Sequence, residues 1–427
     1  MGNAPPPAVF RFIFNHPRIL GFGVLLTFFS SFGQTFLISI FVPELLEAFG
    51  IGTGKFGLIY AGATLASALT LPYFGRLLDR VPPRRVSLCA GAGLAAACLL
   101  MAAAWNVPSL VAGLIGLRLC AQGLLGITSS TTMARVFNHG RGKALSVSAL
   151  GYPIGEGIFP LLVVLLIQAV GWRMAWVVIA LAILCVLIPL ILLLAGKNDG
   201  MKPLDASADP ADAAEKNAAR PPPAIFRDPV FYLLMPANLL MPVVLTALFL
   251  YQIPLGASKG WTAETMARGF IGFAAVRVVI SFFTGPWIDR WTALRVLQWQ
   301  LLPAVIGLAV LFVGGSPWSA YAYLALVGVS QGMAGPVMTA TWAEVYGIDR
   351  LGSIKGMVTT IVIFGTAMGP LILGGALEAG ANYDHAIIAA LIVLVAVAGI
   401  TVFGSRIAVR RIGRDAPPGG PQRMARQ

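Results

Sequence analysis

Long apolar runs separated by short polar segments dominate this chain. Each run is about as long as the 20 or so residues that a helix needs to cross the hydrocarbon core of a bilayer. We predict twelve membrane spans, at residues 19–41, 54–74, 86–104, 107–134, 144–168, 171–195, 229–256, 263–288, 294–313, 317–345, 352–377 and 383–405. The polar, Pro- and Ala-rich segment 196–228 separates the sixth span from the seventh. The pattern therefore predicts an all-α polytopic membrane protein with two six-helix bundles, residues 1–195 and 229–427, and a linker between them.

Composition supports a membrane protein and gives its orientation. Only 11% of the 427 residues are charged, against about 25% in soluble proteins. Of the 30 Lys and Arg residues, four (Lys55, Arg173, Lys259 and Arg268) lie on one predicted side of the membrane and two lie inside spans. All the others lie on the side of the N-terminus, which predicts that both termini and the linker are cytoplasmic. This distribution explains the net charge of +13 without nucleic acid, and we expect a multi-pass protein of the bacterial cytoplasmic membrane.

The sequence offers no sign of enzymatic chemistry. P-loop and HExxH motifs are absent, which argues against ATP hydrolysis and against zinc-dependent hydrolysis. The four cysteines, Cys89, Cys98, Cys120 and Cys185, all fall inside apolar runs. They are expected to act as small apolar residues rather than as metal ligands or disulfides. We therefore expect a protein that is not an enzyme and that uses neither a cofactor nor a metal.

The two halves of the chain repeat each other. The segment "FGRLLDRVPPRRV" after the second span recurs as "TGPWIDRWTALRV" after the eighth. The spacing G-x8-G-x3-G also occurs twice, in the fifth and eleventh spans. Its glycines are Gly142, Gly151 and Gly155 in the first copy and Gly356, Gly365 and Gly369 in the second. Small residues four apart favour close helix packing, and two similar bundles favour a substrate site between them near mid-membrane.

Three motifs give the chain a resemblance to the major facilitator superfamily over nearly its whole length. They are "GRLLDRVPPRR" after span 2 with its echo after span 8, "RLCAQG" in span 4, and "GWRMAW" at the start of span 6. The span-4 motif carries one residue more between its arginine and its glutamine than the family pattern. The resemblance implies the twelve-helix major facilitator fold and a secondary transporter that works by alternating access.

In that family, the loop after span 2 forms a cytoplasmic gate. The matching residues here are Gly75, Asp79, Arg80, Arg84 and Arg85, and the second copy supplies Gly285, Asp289 and Arg290. We expect Glu344, near the cytoplasmic end of span 10, to pair with Arg290 or Arg295. A simple anchor of positive charge would explain the arginines, but it would not explain the repeated Gly-x3-Asp-Arg pattern.

Three charges lie deep within apolar runs: Arg118, Glu156 and Arg277. Each costs on the order of 2.5–3.5 kcal/mol at a helix centre, so such residues normally face a cavity or one another. Two positive charges against one negative favour an anionic ligand, and an arginine matches a carboxylate in bidentate geometry. We predict that Arg277 binds the anion and that Glu156 exchanges a proton. Two alternatives stay open: a static Arg118–Glu156 pair, and an Arg277 that binds backbone carbonyls at a helix break.

Polar residues on other spans complete the predicted substrate site. They are Gln34, Arg118, Tyr152, Asn238, Tyr251 and Gln252. The segment "ARVFNHGRGKALSVSALGYPIG" and the span-8 arginine resemble the monocarboxylate and oxalate/formate transporters, in which such an arginine binds the substrate carboxylate. Because Lys355 lies at the end of span 11 rather than at mid-membrane, a monoanion is expected rather than a dianion.

Our hypothesis from the sequence is a secondary transporter that moves a small organic anion, a monocarboxylate, by symport with protons. One chain in the lipid bilayer should suffice. Two other functions stay open: an exporter of drugs or amphiphiles, which would tolerate loss of Arg277, and a receptor or scaffold that transports nothing.

Overall fold

A computed structural model describes residues 8–137, 140–195, 225–347 and 351–415. Side chains are described throughout these ranges except at 8–11, 75–79, 352–353 and 413–415. All the regular elements in this part of the chain are helices. The predicted linker lies largely outside the described residues, since span 6 ends at Ala195 and 196–224 are not described.

The helices form twelve spans in two halves of six. In the first half they are span 1 (Pro17–Gly33 with Thr35–Phe49), span 2 (Thr53–Arg80), span 3 (Pro83–Ala103), span 4 (Val107–Val136), span 5 (141–170) and span 6 (172–195). In the second they are span 7 (Pro229–Leu250, then Gln252–Ser258), span 8 (Ala263–Trp291), span 9 (Ala293–Val313), span 10 (Pro317–Tyr346), span 11 (Leu351–Glu378) and span 12 (Tyr383–Asp415).

Length and hydropathy identify these spans with three qualifications. Nine helices in the described ranges are long and apolar enough to cross a membrane, and the two parts of span 1, bent by 44°, count as a tenth. The continuous helix Arg141–Ala195 contains two spans, because Gly171 interrupts it with a φ of 79°. Span 10 is long enough but more polar, with Ser330, Gln331 and several small residues near its middle. The predicted fold class is confirmed.

The repeated glycines bring equivalent spans together in the two halves. A side chain at Gly151 or Gly155 would collide with Thr27 or Ser31 of span 1. At Gly369, in the second half, it would collide with the backbone of Val243 in span 7. Span 5 therefore packs on span 1 as span 11 packs on span 7, which is the arrangement that a repeated sequence predicts.

The two halves touch each other on the side of the membrane opposite the chain ends, which we call the far side. There the Thr53 hydroxyl donates to the Gly374 carbonyl at 3.1 Å, and the Tyr251 hydroxyl donates to the Thr53 carbonyl at 2.7 Å. The Gln252 amide donates to the Ser39 hydroxyl at 2.7 Å and to the Phe36 carbonyl at 3.2 Å. We call this set of hydrogen bonds the far-side clamp, and each one joins the first half to the second.

We call the opposite side the terminus side, because span 1 begins there and span 12 ends there. At this end of span 2, Leu69, Thr70, Pro72 and Tyr73 are all exposed. At this end of span 8, a side chain at Gly285 would meet no atom within 4 Å. Exposed residues so close in sequence cover more than one face of a helix, so these ends are not packed against the other half. The molecule is closed on its far side and open on its terminus side.

Candidate substrate and proton site

An ion pair joins the two halves in the middle of the molecule. The Arg277 guanidinium in span 8 donates from Nη1 to both carboxylate oxygens of Glu156 in span 5, at 2.5 Å each. The exposed fractions of the two side chains are 30% and 14%. Two of the three charges that the sequence places deep in the membrane therefore neutralise each other.

The pair marks the end of the close contact between spans 5 and 8. One residue beyond Glu156 toward the far side, a side chain at Gly157 would lie 3.2 Å from the Ala274 side chain. In the other direction, Gly285 of span 8, two turns along from Arg277, is exposed, and a side chain there would meet no atom within 4 Å. The ion pair thus lies where the closed far-side interface gives way to the opening on the terminus side.

The Arg118–Glu156 pair considered from the sequence does not form, and Arg118 has a different environment. Its Nη1 donates to the Gly33 carbonyl at 3.1 Å, and its guanidinium lies 5.0 Å from the centre of the Tyr60 ring. Only 4% of the residue is exposed. Arg118, rather than Arg277, is the arginine that binds a carbonyl at a helix break.

That break is the bend in span 1. Gln34 is extended there, with φ −81° and ψ 153°, so the helical hydrogen bonds of span 1 are interrupted inside the membrane. A carbonyl in hydrocarbon needs a partner, and Arg118 supplies one to Gly33. The Tyr60 hydroxyl donates to the Thr35 hydroxyl at 2.8 Å and holds the other side of the bend.

Span 4 reaches this bend through a π-helical segment, Arg118–Leu125. A π-turn accommodates one residue more than an α-turn, so it absorbs the extra residue of the "RLCAQG" motif. A side chain at Gly33 would collide with Leu117, Ala121 and Gln122, which shows how closely the bend in span 1 packs on this segment.

The remaining predicted site residues lie in three places. Gln34 lies at the bend in span 1 and is partly buried. Tyr152, one turn from Glu156, places its hydroxyl against Gly126 of span 4. Tyr251 and Gln252 are buried in the far-side clamp. Of the predicted residues, Glu156 and Arg277 are brought into direct contact, and Tyr251 and Gln252 connect the halves elsewhere.

Asn238 lines a separate, mainly apolar cavity of about 320 Å³ in the second half. Gln300, Gln331, Lys355 and Thr359 share this lining. The Asn238 Nδ2 and the Gln300 Oε1 are buried without a hydrogen-bond partner among the described residues. Neither Gln300 nor Gln331 was among the site residues predicted from the sequence. A glutamine within the apolar run of span 9 was the available signal.

The gate residues are only partly described. Gly75 and Asp79 lie in the span-2 helix, but their side chains are outside the described set. Arg80, Arg85, Asp289 and Arg290 are exposed and Arg84 is partly buried, all on the terminus side.

The predicted pairing of Glu344 with Arg290 or Arg295 is wrong. The Glu344 carboxylate accepts from the backbone N–H groups of Ala293 at 2.7 Å and Leu294 at 3.2 Å. It therefore caps the N-terminus of span 9, where backbone N–H groups have no partner within the helix and the helix dipole favours a negative charge.

Two six-span halves, closed against each other on one side and open on the other, are the architecture of a membrane transporter rather than of an enzyme. The sequence profile of the Major Facilitator Superfamily matches residues 23–370 of this chain. The chain belongs to the major facilitator superfamily, as its motifs predicted.

Solved structures of transporters share this fold at low sequence identity. A bacterial homologue of the human lysosomal transporter Spinster, inward-facing and unoccupied, superposes with a TM-score of 0.70 at 15% identity, covering 92% of this chain and 98% of that one. Its inward-facing, occupied form gives 0.67 at 15% identity, with 93% and 98% covered. A mutant of the nucleoside transporter NupG gives 0.65 at 14% identity, with 92% and 99% covered. A search of curated protein sequences finds no match. Identities this low establish the fold and not the substrate.

Proposed function

We propose that this protein is a proton-coupled transporter of a small organic monoanion, such as a monocarboxylate. The observation that carries the proposal is the ion pair between Glu156 and Arg277, which joins the two halves at the inner end of the opening. One chain contains both halves of this site, so a monomer suffices.

The Glu156–Arg277 ion pair must break or rearrange when the two halves move against each other. Its two partners belong to different halves, and alternating access moves those halves against each other around a central site. Breaking a partly buried pair without a replacement leaves an uncompensated charge, which costs several kcal/mol. A ligand that replaces one partner removes that cost.

Charge balance then couples the substrate to a proton. When Glu156 takes up a proton, it no longer neutralises Arg277, and a substrate carboxylate can take its place in the same bidentate geometry. The exchange replaces one negative charge by another, so the site stays neutral. A proton without the anion, or the anion without a proton, would leave one net charge at mid-membrane. The site therefore favours one proton for each monoanion.

The other deep cation does not recruit a second carboxylate. Arg118 is buried against the Gly33 carbonyl and the Tyr60 ring, where it stabilises the bend in span 1. Among the described residues Arg277 is the one arginine that pairs with Glu156 at the inner end of the opening, so a substrate with one negative charge matches the site better than a dianion.

Energetics agree with symport. A monoanion that enters a negative-inside cell opposes about 2.3 kcal/mol per 100 mV, and one accompanying proton cancels that cost. The excess of Lys and Arg on the terminus side supports a cytoplasmic location for that side, and on this proposal the open state described above faces inward. On this proposal the two Gly-x3-Asp-Arg segments close the cytoplasmic side in the second, outward-facing state of the transporter.

Uptake into proteoliposomes tests the proposal. The proteins compared are wild type, Arg277→Ala, Arg277→Lys and Glu156→Gln. Each is given radiolabelled lactate, pyruvate or acetate, and separately a cationic dye, with and without an inward proton gradient. We expect gradient-driven carboxylate uptake by wild type and at least a tenfold loss in Arg277→Ala. Arg277→Lys should keep part of the uptake with a raised KM, because lysine has the charge but not the planar fork. Glu156→Gln should exchange the anion without responding to the gradient.

The chain provides a matched control on the same helix. Arg268 pairs with Glu264 at 2.5 Å on the exposed surface of span 8, so Arg268→Ala removes an ion pair outside the site and should transport like wild type. Carboxylate uptake that survives in Arg277→Ala would disprove the anion site. Dye movement without carboxylate uptake would favour the exporter.

A further inference from the structure

A second, basic cavity lies on the terminus side, away from the ion pair. It is an open groove of about 670 Å³ between the ends of spans 8, 9 and 12. We call it the basic groove, and its lining residues are Trp291, Arg295, Gln298, Trp299, Arg406, Val409 and Arg410.

Helical spacing aims these residues at the same space. Arg295, Gln298 and Trp299 follow one another at i, i+3 and i+4 on span 9, and Arg406, Val409 and Arg410 do the same on span 12. Residues with this spacing share one face of a helix. Two neighbouring helices therefore present three guanidinium groups to one groove.

The groove has a net positive charge that the described residues leave uncompensated. Arg295, Arg406 and Arg410 form no ion pair within the described part of the chain, and no carboxylate belongs to the lining. The Glu344 carboxylate, on the neighbouring span 10, is engaged by the backbone N–H groups of Ala293 and Leu294. Asp289 is the nearest acidic residue along span 8, and it is exposed outside the lining.

The same helix faces continue into the membrane as an apolar track. On span 9, Leu302 and Ile306 follow Gln298 at i+4 and i+8 and are 45% and 46% exposed. On span 12, Phe403 precedes Arg406 by three residues and Arg410 by seven, and it is 60% exposed. Trp291 and Trp299 lie between the charges and this track, with 47% and 64% of their surface exposed. Tryptophan favours that depth, where the headgroups meet the hydrocarbon.

We propose that the basic groove binds an anionic phospholipid, with its phosphodiester on Arg295, Arg406 and Arg410 and its acyl chains along Leu302, Ile306 and Phe403. Arginine binds phosphate oxygens in bidentate geometry, and basic pockets between spans on the cytoplasmic side suit anionic headgroups. A free phosphate would use the three arginines but not the exposed apolar track, which is why we assign a lipid.

Native mass spectrometry of the detergent-purified full chain tests this assignment. Dioleoylphosphatidylglycerol, dioleoylphosphatidylcholine and soluble glycerol phosphate are titrated separately onto the same protein. We expect phosphatidylglycerol to bind at least tenfold more tightly than phosphatidylcholine, and glycerol phosphate not to compete at equal concentration. The triple variant Arg295→Gln, Arg406→Gln, Arg410→Gln should lose affinity by on the order of 10–100-fold.

Two further variants keep the test decisive. A triple lysine variant at the same positions should retain most of the binding, and it shows that the groove tolerates substitution if the glutamine variant misfolds. The control Arg18→Gln, Arg141→Gln, Lys143→Gln removes three exposed charges on the terminus side outside the groove and should bind like wild type. Equal loss in this control would overturn the assignment, because binding would then follow total charge. Equal binding of phosphatidylcholine, or displacement by glycerol phosphate, would also overturn it.

Discussion

Arg118 and Arg277 meet the cost of a membrane-buried charge in different ways. Arg118 is almost fully buried against one backbone carbonyl and an aromatic ring within its own half. Arg277 remains partly exposed and pairs with a carboxylate of the other half. The first arrangement stabilises a helix break, whereas the second can be exchanged for a ligand.

Replacement of Arg118 should reduce stability more than it changes selectivity. Arg118→Ala leaves the Gly33 carbonyl without its partner in an apolar environment, which costs about 1–3 kcal/mol. We expect a lower midpoint in thermal unfolding in detergent, followed by tryptophan fluorescence. Any remaining uptake should show the wild-type order of preference among carboxylates. A changed order with unchanged stability would contradict the structural role and return Arg118 to the substrate site.

At this scale the sequence could identify the important residues but not their partners. Arg118, Glu156 and Arg277 stand out because charge is rare in apolar runs. Which arginine meets Glu156 depends on the contact between spans 5 and 8, which belong to different halves and lie far apart in sequence. Glu344 is a similar case, because the backbone N–H groups that donate to its carboxylate leave no mark in the sequence.

Glycines at equivalent positions do the same packing work in both halves. Gly155 and Gly369 permit contact with spans 1 and 7, whereas Gly142 and Gly356 have no atom within 4 Å of an added side chain. We expect Gly155→Leu and Gly369→Leu to destabilise the protein by about 1–3 kcal/mol or more through overpacking, and Gly142→Leu and Gly356→Leu to have little effect. Thermal unfolding of the four variants separates the pairs. Equal destabilisation by all four would contradict the packing role of Gly155 and Gly369, because Gly→Leu raises helix propensity and cannot by itself destabilise these helices.

Spans 7 and 12 are joined at the terminus side by an ion pair whose strength depends on pH. Burial raises the pKa of the Asp228 carboxyl, but hydrogen bonds from Arg411 and the Val230 N–H outweigh it, so the pKa lies below its ordinary value. A pKa lowered by folding contributes stability above the unfolded value of about 3.9, and this contribution disappears as the pH falls through the folded value.

Asp228→Asn should therefore destabilise the protein at neutral pH, by about 1 kcal/mol, and not in strong acid. Thermal unfolding of wild type and variant between pH 3 and pH 8 measures the difference. The curves should converge as the pH falls below about 4. Glu264→Gln, in a more exposed pair, should show a smaller difference throughout. A difference for Asp228→Asn that does not depend on pH would contradict the account.

We expect the far-side clamp to favour the far-side-closed state of the whole molecule. Tyr251→Phe removes the hydrogen bond to the Thr53 carbonyl, worth about 0.5–1.5 kcal/mol, so the ratio of far-side-closed to far-side-open molecules should fall roughly 2- to 10-fold. Electron–electron distances between spin labels at Asn106 and Ser316, both exposed on the far side, report that ratio. Tyr323→Phe, which removes a buried hydroxyl within the second half, is the control. An unchanged distance distribution in Tyr251→Phe would show that the clamp does not set the equilibrium.

For the whole molecule, the sequence was a good guide to architecture and a poor one to conformational state. Twelve apolar runs and the repeated Gly-x3-Asp-Arg and glycine patterns predicted two similar halves, because hydrophobic length and small-residue spacing act locally. The clamp could not be predicted, because three of its four acceptors are the backbone carbonyls of Phe36, Thr53 and Gly374. Tyr251 and Gln252 were recognised as polar residues in span 7, but nothing in the sequence indicated that they reach the other half.

The central claim is that the substrate carboxylate replaces a protonated Glu156 at Arg277. Its most direct test is the ratio of the anion concentrations inside and outside the vesicle at zero net flux. Proteoliposomes carry an imposed pH difference, and the membrane potential is varied independently with potassium and valinomycin. Coupling of one proton to one monoanion predicts a tenfold accumulation of the labelled carboxylate per pH unit, unchanged by the potential, and no accumulation by Glu156→Gln. Accumulation that follows the membrane potential, or that persists in Glu156→Gln, would contradict the account.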